Sequence, residues 1–374
     1  MQQKKKLLIF HPYLAPYRID LYNSLSRKFD INVLLTGSNR ELATLGYDLQ
    51  AVNQQAKFPY RYYSKGFFVG RHLISSVYYK IIKSFKPDTI LAHELGINTL
   101  IAILLKKMYH YKVYVTIDDS PLMAAAYQGL RKMLRRFVIR HVNGLIVVNP
   151  QVRDYLAQKF NGYSCQYHSL PIIQDERVLE EKLNSALLAS KSIDKQYNFR
   201  GKKLILFIGR LIHAKAPDLL LKVFAELYIE NPDLRLIYIG DGELKKNLME
   251  YTITHHLHDV VYFLGRLNGT DLFAWYNIGQ ILVLPSRYEP FGAVVNEALA
   301  TGCMVVTSDS TGASCLIDEK NGIVFKTNDD NSLKNALLQT IAKISPIEDI
   351  RVKNSIMNES FSDHVRQLIN FICS

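Results

Sequence analysis

Two runs of alternating short apolar strands and helical segments, broken once near Pro171, constrain this chain most. In the first run Leu7–Phe10, Ile31–Leu35, Thr89–Ala92, Lys112–Ile117 and Gly144–Val148 read as strands. Each is short, apolar and bounded by polar or turn residues. Helical periodicity fills the gaps, as in Ile19–Phe29, Leu73–Phe85 and Thr99–Tyr109. Strands buried on both faces and separated by helices predict a parallel, doubly wound α/β sheet. The rhythm restarts with Leu204–Ile208, Leu234–Ile239, Val260–Phe263, Gln280–Leu284 and Met304–Thr307, each followed by a helical segment. The 374 residues suffice for two such domains at roughly 100–200 residues each.

The break sets the expected boundaries. Residues 1–173 form one Rossmann-like domain and 201–345 a second. Residues 174–200 are polar, helix-compatible and lack a strand, so they read as a linker. Residues 346–374 read as terminal helices placed to pack back on the first domain. Two doubly wound units on one linker predict a cleft, with ligands at the carboxyl ends of the strands.

Chemistry-bearing residues collect at those strand ends in the second half. Leu204–Ile208 runs into Gly209-Arg210-Leu211, with Lys215 and Pro217 following. A glycine straight after a buried strand lets a ligand approach. Two cations beside it suit a diphosphate, Arg through its forked donors and Lys as a point charge. A solvated basic loop is the plainer alternative. Gln280–Leu284 ends in a loop holding Glu289-Pro290-Phe291-Gly292, and Ala293, Val294 and Glu297 open the next helix. That helix start offers free N–H groups to an anion. Glu297 is placed to accept both hydrogens of a vicinal diol, or simply to favour the helix dipole as a first-turn acid, and Glu289 to meet a sugar hydroxyl. Asp241-Gly242-Glu243 fits turn and cap chemistry. Gly265-Arg266-Leu267 suits a base pocket and a plain turn equally.

The ordered set resembles the family-4 (group 1) retaining glycosyltransferases of the GT-B fold. Its members are Gly209-Arg210-Leu211 with Lys215, Glu289 and Glu297 around Pro290-Phe291-Gly292, Asp309 to Gly312, and Asn321-Gly322. The strong resemblance covers roughly 203–328; the first half matches loosely, through Pro16-Tyr17-Arg18 and the strand–helix rhythm. The resemblance implies two Rossmann-like domains facing across a cleft and a nucleotide-diphosphate sugar, with UDP favoured, bound by the second. Arg210 and Lys215 would then bind the diphosphate and stabilise the leaving group. Glu289, with the backbone of Phe291, Gly292 and Ala293, would hold the sugar, and Glu297 the ribose. No cofactor or divalent metal is implied. Physical reasoning agrees, because cleaving a glycosyl–phosphate bond builds negative charge on the diphosphate. Glu289 and Glu297 lie along one loop and helix, which does not suit the flanking carboxyl pair of a retaining glycosidase.

The first half carries the charge excess. The chain has net charge +12; residues 1–170 hold 24 basic and 9 acidic side chains, and the remainder 22 and 25. At its strand ends stand Arg18, His93-Glu94 and Asp118-Asp119. Arg18 and His93 are candidates for the acceptor side. Asp119 is placed to orient or deprotonate an acceptor hydroxyl, and equally to cap the next helix. Relatives often carry His near that position, so Asp118-Asp119 departs from the pattern. Leu130–His141 interleaves Arg131, Lys132, Arg135 and Arg136 with Met133, Leu134, Phe137, Val138 and Ile139. On a helix 131/135 and 132/136 share a face, which suits either an anionic membrane surface or a solvated face on a core helix. Phe58–His72 mixes Arg61, Lys65 and Arg71 with aromatic residues in the same way.

Several classes are excluded. No apolar run nears the ~20 residues of a membrane span, and Leu7–Phe10 after Lys4–Lys6 is too short for a signal-peptide core. Four cysteines without a Cys-x-x-Cys spacing argue against a zinc site or disulfide scaffold and fit a reducing cytoplasm. The expectation is a cytoplasmic, peripherally membrane-associated retaining hexosyltransferase acting on a glycan or lipid-linked acceptor in surface polysaccharide assembly. The enzyme alternative is a GT-B nucleotide-sugar epimerase or hydrolase. The other is a nucleic-acid-binding protein using the basic half, which no nucleic-acid motif supports.

Overall fold

A computed structural model describes residues 3–37, 49–69 and 72–374. The chain divides into two compact units, Met1–Ile172 with Phe361–Ser374, and Ile173–Ser360. Among the described residues the first unit holds a seven-stranded sheet in the order β3-β2-β1-β6-β7-β8-β9. Its strands are β1 Lys6–His11, β2 Asp30–Leu35, β3 Tyr60–Tyr62, β6 Thr89–His93, β7 Lys112–Ile117, β8 Gly144–Val147 and β9 Gln166–Ser169. All neighbours pair in parallel. A separate antiparallel pair joins β4 Phe67–Val69 to β5 His72–Ile74. Leu7, Leu8, Ile9 and Phe10 are buried, as a strand covered by helices on both faces requires.

The second unit has a six-stranded parallel sheet in the order β12-β11-β10-β13-β14-β15. These are β10 Lys203–Ile208, β11 Leu234–Ile239, β12 Val261–Gly265, β13 Ile281–Leu284, β14 Met304–Ser308 and β15 Gly322–Phe325. Strand order reverses between β10 and β13, so the loops after these two strands are neighbours at the switch point where such sheets take ligands. In the first unit the same reversal lies between β1 and β6.

Two expectations fail. The segment read as a linker is helical over Glu176–Tyr197, as its sequence allows, but it belongs to the second unit and does not stand between domains. Asp175 caps it by accepting from the Arg177 amide. Leu179, Leu183 and Ala186 recur at helical spacing and are buried, against the helices Gly269–Ile278 and Ala293–Ala300. That narrow stripe in a polar sequence is what made the segment look like a connection. Residues 346–360 are not helical; they run over the second unit, pairing Ile347 with Lys202 and Ile356 with Leu299 through backbone hydrogen bonds. Only Phe361–Cys373 forms a terminal helix, and it packs on the first unit. There Phe371 stacks on His168 and meets Tyr114 edge-on, with centroids 5.0 and 5.3 Å apart.

Candidate active site

The switch point of the second unit brings together the loop after β10 and the loop after β13. The first passes through exposed Arg210, buried Leu211 and a short 3-10 turn, His213–Lys215, before the helix Pro217–Glu230. Leu211 ties the loop to its neighbour, its amide donating to the Asp241 carbonyl at 3.0 Å. The second loop is clamped to the first by Arg287. Its guanidinium makes two bonds of 3.0 Å to Asp218 and one of 2.8 Å to the His213 carbonyl, and its amide donates to the Ala214 carbonyl at 2.9 Å. Sequence reading passed over Arg287, although its place inside the Pro285–Gly292 loop was the available signal.

This clamp sets Lys215 against Glu289. The Lys215 ammonium donates to the Glu289 carboxylate, and both side chains are largely buried. Burial, and then the nearby Arg210 guanidinium, lowers the Lys215 ammonium to about 8; the carboxylate on its nitrogen acts the other way. Arg210 itself has no ion pair or hydrogen bond among the described residues. Two cations thus adjoin at a sheet's carboxyl end, one held by a carboxylate and one open to solvent.

The loop that carries Glu289 needs its glycines. Gly292 has φ +95°, and a Cβ there would stand 2.7 Å from a Leu284 methyl. Gly312 lies so close that a Cβ would fall 2.1 Å from the Pro290 carbonyl oxygen. Between them the Ala313 amide donates to the Phe291 carbonyl at 2.8 Å. The Phe291 side chain is buried in the core. Gly292 caps the helix Ala293–Ala300 without a side-chain cap, and the Ala293 and Val294 amides have no acceptor among the described residues. Such an open first turn attracts anions.

One turn on, Glu297 accepts from Gln174 Nε2 and from the Tyr276 hydroxyl, each at 2.9 Å. Burial, and then the Glu297 charge, keeps the Tyr276 hydroxyl protonated far above its ordinary range. Neither Gln174 nor Tyr276 was singled out from the sequence. Gly265, with φ +72°, ends β12, and Arg266 after it is exposed, with Leu267 half-buried. Asp309 and Asn321 serve structure instead. Asp309 accepts from the Thr327 amide at 3.0 Å, and Asn321 accepts from the Asp318 amide and donates to the Leu316 carbonyl.

In the first unit the ends of β1, β6 and β7 gather His11, His93 and Asp118, with Arg18 from the helix Pro16–Lys28. Arg18 is buried and donates to Asp118 at 2.7 Å. Burial pushes the Asp118 carboxyl up, but the Arg18 and His93 charges and the Arg18 bond outweigh it and leave it below the usual range. His93 stacks on His11 at 4.0 Å and bonds Thr116 through Nδ1 at 2.9 Å. Burial, then His93 and Arg18, holds His11 neutral.

Asp119 departs from both of its expected roles. Its buried carboxylate accepts from buried Arg135 at 2.9 Å and from the half-buried Tyr127 hydroxyl at 3.2 Å. The cap of the following helix is Ser120. The same pair corrects the basic face. Arg135 is 2% exposed and lies 3.4 Å from the centroid of the Tyr127 ring, so it does not belong to a docking surface. Arg131, Lys132 and Arg136 are exposed on that helix, Gly129–His141. Beside them Leu130, Met133 and Phe137 are 79%, 70% and 40% exposed. Of the second basic segment, Arg61 and Lys65 are exposed and Phe67 is 81% exposed, while Arg71 lies outside the described residues. No helix among the described residues is long and apolar enough to cross a membrane.

Residues 190–349 match the profile of the family glycosyl transferases group 1. The chain is similar to an uncharacterized glycosyltransferase of Methanocaldococcus jannaschii, 34% identical over 149 residues that cover 37% of this chain and 38% of the relative. It spans about half the length of the curated relatives it matches. Among solved structures it is similar to Anabaena HepE in complex with UDP and glucose, with TM-score 0.67, 18% identity and 90% of each chain covered. The lipopolysaccharide outer core galactosyltransferase WaaB gives TM-score 0.65, 14% identity and 99% of each chain. The fold is GT-B, built of two Rossmann-like units.

Proposed function

We propose that this chain, whose residues 190–349 match the glycosyl transferases group 1, is a retaining glycosyltransferase. It moves a hexose-type sugar from a nucleotide-diphosphate sugar, UDP-sugar favoured, to a glycan or lipid-linked acceptor in surface polysaccharide assembly. The observation that carries this is Lys215 held on Glu289 beside an unpaired Arg210, at the switch point of a parallel sheet. HepE, a structural neighbour, was solved with UDP and glucose, and WaaB acts on the lipopolysaccharide outer core; these favour the donor and the acceptor class.

The mechanism follows from charge. As the glycosyl–phosphate bond breaks, negative charge grows on the diphosphate and positive charge on the sugar. Arg210 and Lys215 stabilise the first, and the open amides of Ala293 and Val294 add a helix N-terminus to it. Glu289 accepts from a donor-sugar hydroxyl and orients the ring, while Glu297 takes the ribose diol. These two cations supply the countercharge that a divalent metal would otherwise give, so no metal is needed. In the first unit the carboxylate of Asp118, with Arg18 and His93, serves the acceptor side; each aspartate is held by an arginine, but the Asp118 side chain keeps 18% exposure against 3% for Asp119, so Asp118 replaces Asp119 in this role.

Docking to the inner face of an anionic membrane accords with the helix Gly129–His141. Its exposed Leu130, Met133 and Phe137 enter the interface and Arg131, Lys132 and Arg136 meet the headgroups, at ~1 kcal/mol per basic residue. Proton NMR of the freshly formed product tests the stereochemical claim. An α-linked product from an α-linked UDP-hexose is expected; a β-linked product contradicts retention.

A further inference from the structure

Glu297 is fastened by two donors from distant parts of the chain. Gln174 stands next to the start of the second unit, and Tyr276 lies in the helix Gly269–Ile278. Gln174 gives its side-chain N–H to Oε1 and Tyr276 its hydroxyl to Oε2, both at 2.9 Å. Neither donor is free to wander. The Gln174 backbone N–H donates to Asn296 Oδ1 at 2.9 Å, next to Glu297 itself, and Gln174, Tyr276 and Asn296 are all buried.

A carboxylate oxygen offers two lone-pair sites. One donor on each oxygen therefore leaves one site on each, and fixes the plane in which they lie. A vicinal diol needs two such sites side by side in one plane. An unfastened glutamate would have to lose its side-chain freedom when the nucleotide arrives.

We propose that Gln174 and Tyr276 are positioning residues for ribose recognition: they lock the Glu297 carboxylate so that its two remaining acceptor sites meet the 2′- and 3′-hydroxyls of the donor nucleotide. The proposal rests on the assignment of Glu297 to the ribose. It adds that ribose selectivity is set by residues that never touch the nucleotide, one of them at the segment where the chain enters the second unit.

Isothermal titration of the full chain tests it, using UDP, ADP and GDP, each beside its 2′-deoxy form and its monophosphate. The wild type is expected to prefer the ribose form by about tenfold, the worth of a charge-assisted hydrogen bond. Tyr276→Phe and Gln174→Leu should each reduce that preference at least threefold, while the preference for diphosphate over monophosphate, set by Arg210 and Lys215, stays as in the wild type. Tyr276→Phe keeps the ring and so keeps the test alive if Gln174→Leu fails to fold. An unchanged ribose preference in Tyr276→Phe, with Glu297→Ala abolishing it, overturns the positioning role alone. An equal loss of both preferences overturns it too, because that marks general damage. A ribose preference that survives Glu297→Ala overturns the assignment of Glu297 and the proposal with it.

Discussion

The Lys215 ammonium donates to the Glu289 carboxylate, 74 residues further along the chain. The cation assigned to the diphosphate is thus held by the carboxylate assigned to the sugar. Each partner fixes the other. Lys215→Ala and Glu289→Ala should each lower kcat/KM by about 10²–10³, the cost of removing one placed group at comparable oxyanion sites. Arg210→Ala should do the same without changing the melting temperature, because Arg210 is exposed and unpaired. Steady-state kinetics and thermal unfolding of the three variants check this.

The lowered Lys215 value gives a pH dependence. Burial, and then Arg210, lowers the Lys215 ammonium to about 8, whereas diphosphate binding needs the charged form. Affinity for UDP should therefore be flat below about pH 7.5 and fall towards tenfold per pH unit above 8. Titration calorimetry at several pH values checks it, and Lys215→Ala should bind weakly at every pH with no such slope.

Arg135 and Asp119 form a buried ion pair roofed by Tyr127. Arg135→Ala strands the Asp119 charge inside the protein and should cost about 3–5 kcal/mol of stability. Arg136→Ala, one residue on and exposed, should stay within about 0.5 kcal/mol. Urea denaturation of the two variants separates the outcomes.

How far the sequence revealed this architecture differs by element. The buried β10 and β13 were legible because strands covered on both faces are continuous apolar runs, and the positions of Arg210, Lys215, Glu289 and Gly292 followed from them. The packing of the helix Glu176–Tyr197 on the second unit was not, because only a narrow stripe of Leu179, Leu183 and Ala186 is apolar. Arg135 was misassigned despite a usable signal. It shares a face with Val138 and Ile139 at spacings of three and four, so burying them buries it. Its partner Asp119 lies outside the helix and no periodicity reports it. The donors to Glu297 were beyond reach for the same reason, since Gln174 is 123 residues away.

Membrane docking predicts a division within one helix. Leu130→Ser with Met133→Ser and Phe137→Ser should release the protein from phosphatidylglycerol vesicles, as should Arg131→Glu with Lys132→Glu and Arg136→Glu. Neutral phosphatidylcholine vesicles should not bind the wild type. Co-sedimentation measures all three.

On the proposed mechanism metal removal should leave catalysis intact, since Arg210 and Lys215 would provide the countercharge. Turnover in excess EDTA is expected to equal turnover in magnesium; a loss restored by added magnesium would refute the metal-free mechanism.

Transfer itself is tested most directly by incubating the protein with UDP-[14C]hexoses and membranes carrying lipid-linked glycan, and following where the label goes. Label should enter the glycan only with acceptor present, and Arg210→Ala and Glu289→Ala should transfer less than a hundredth as much. Label released as free sugar, a UDP-sugar merely epimerised, or full transfer by either variant would contradict the account.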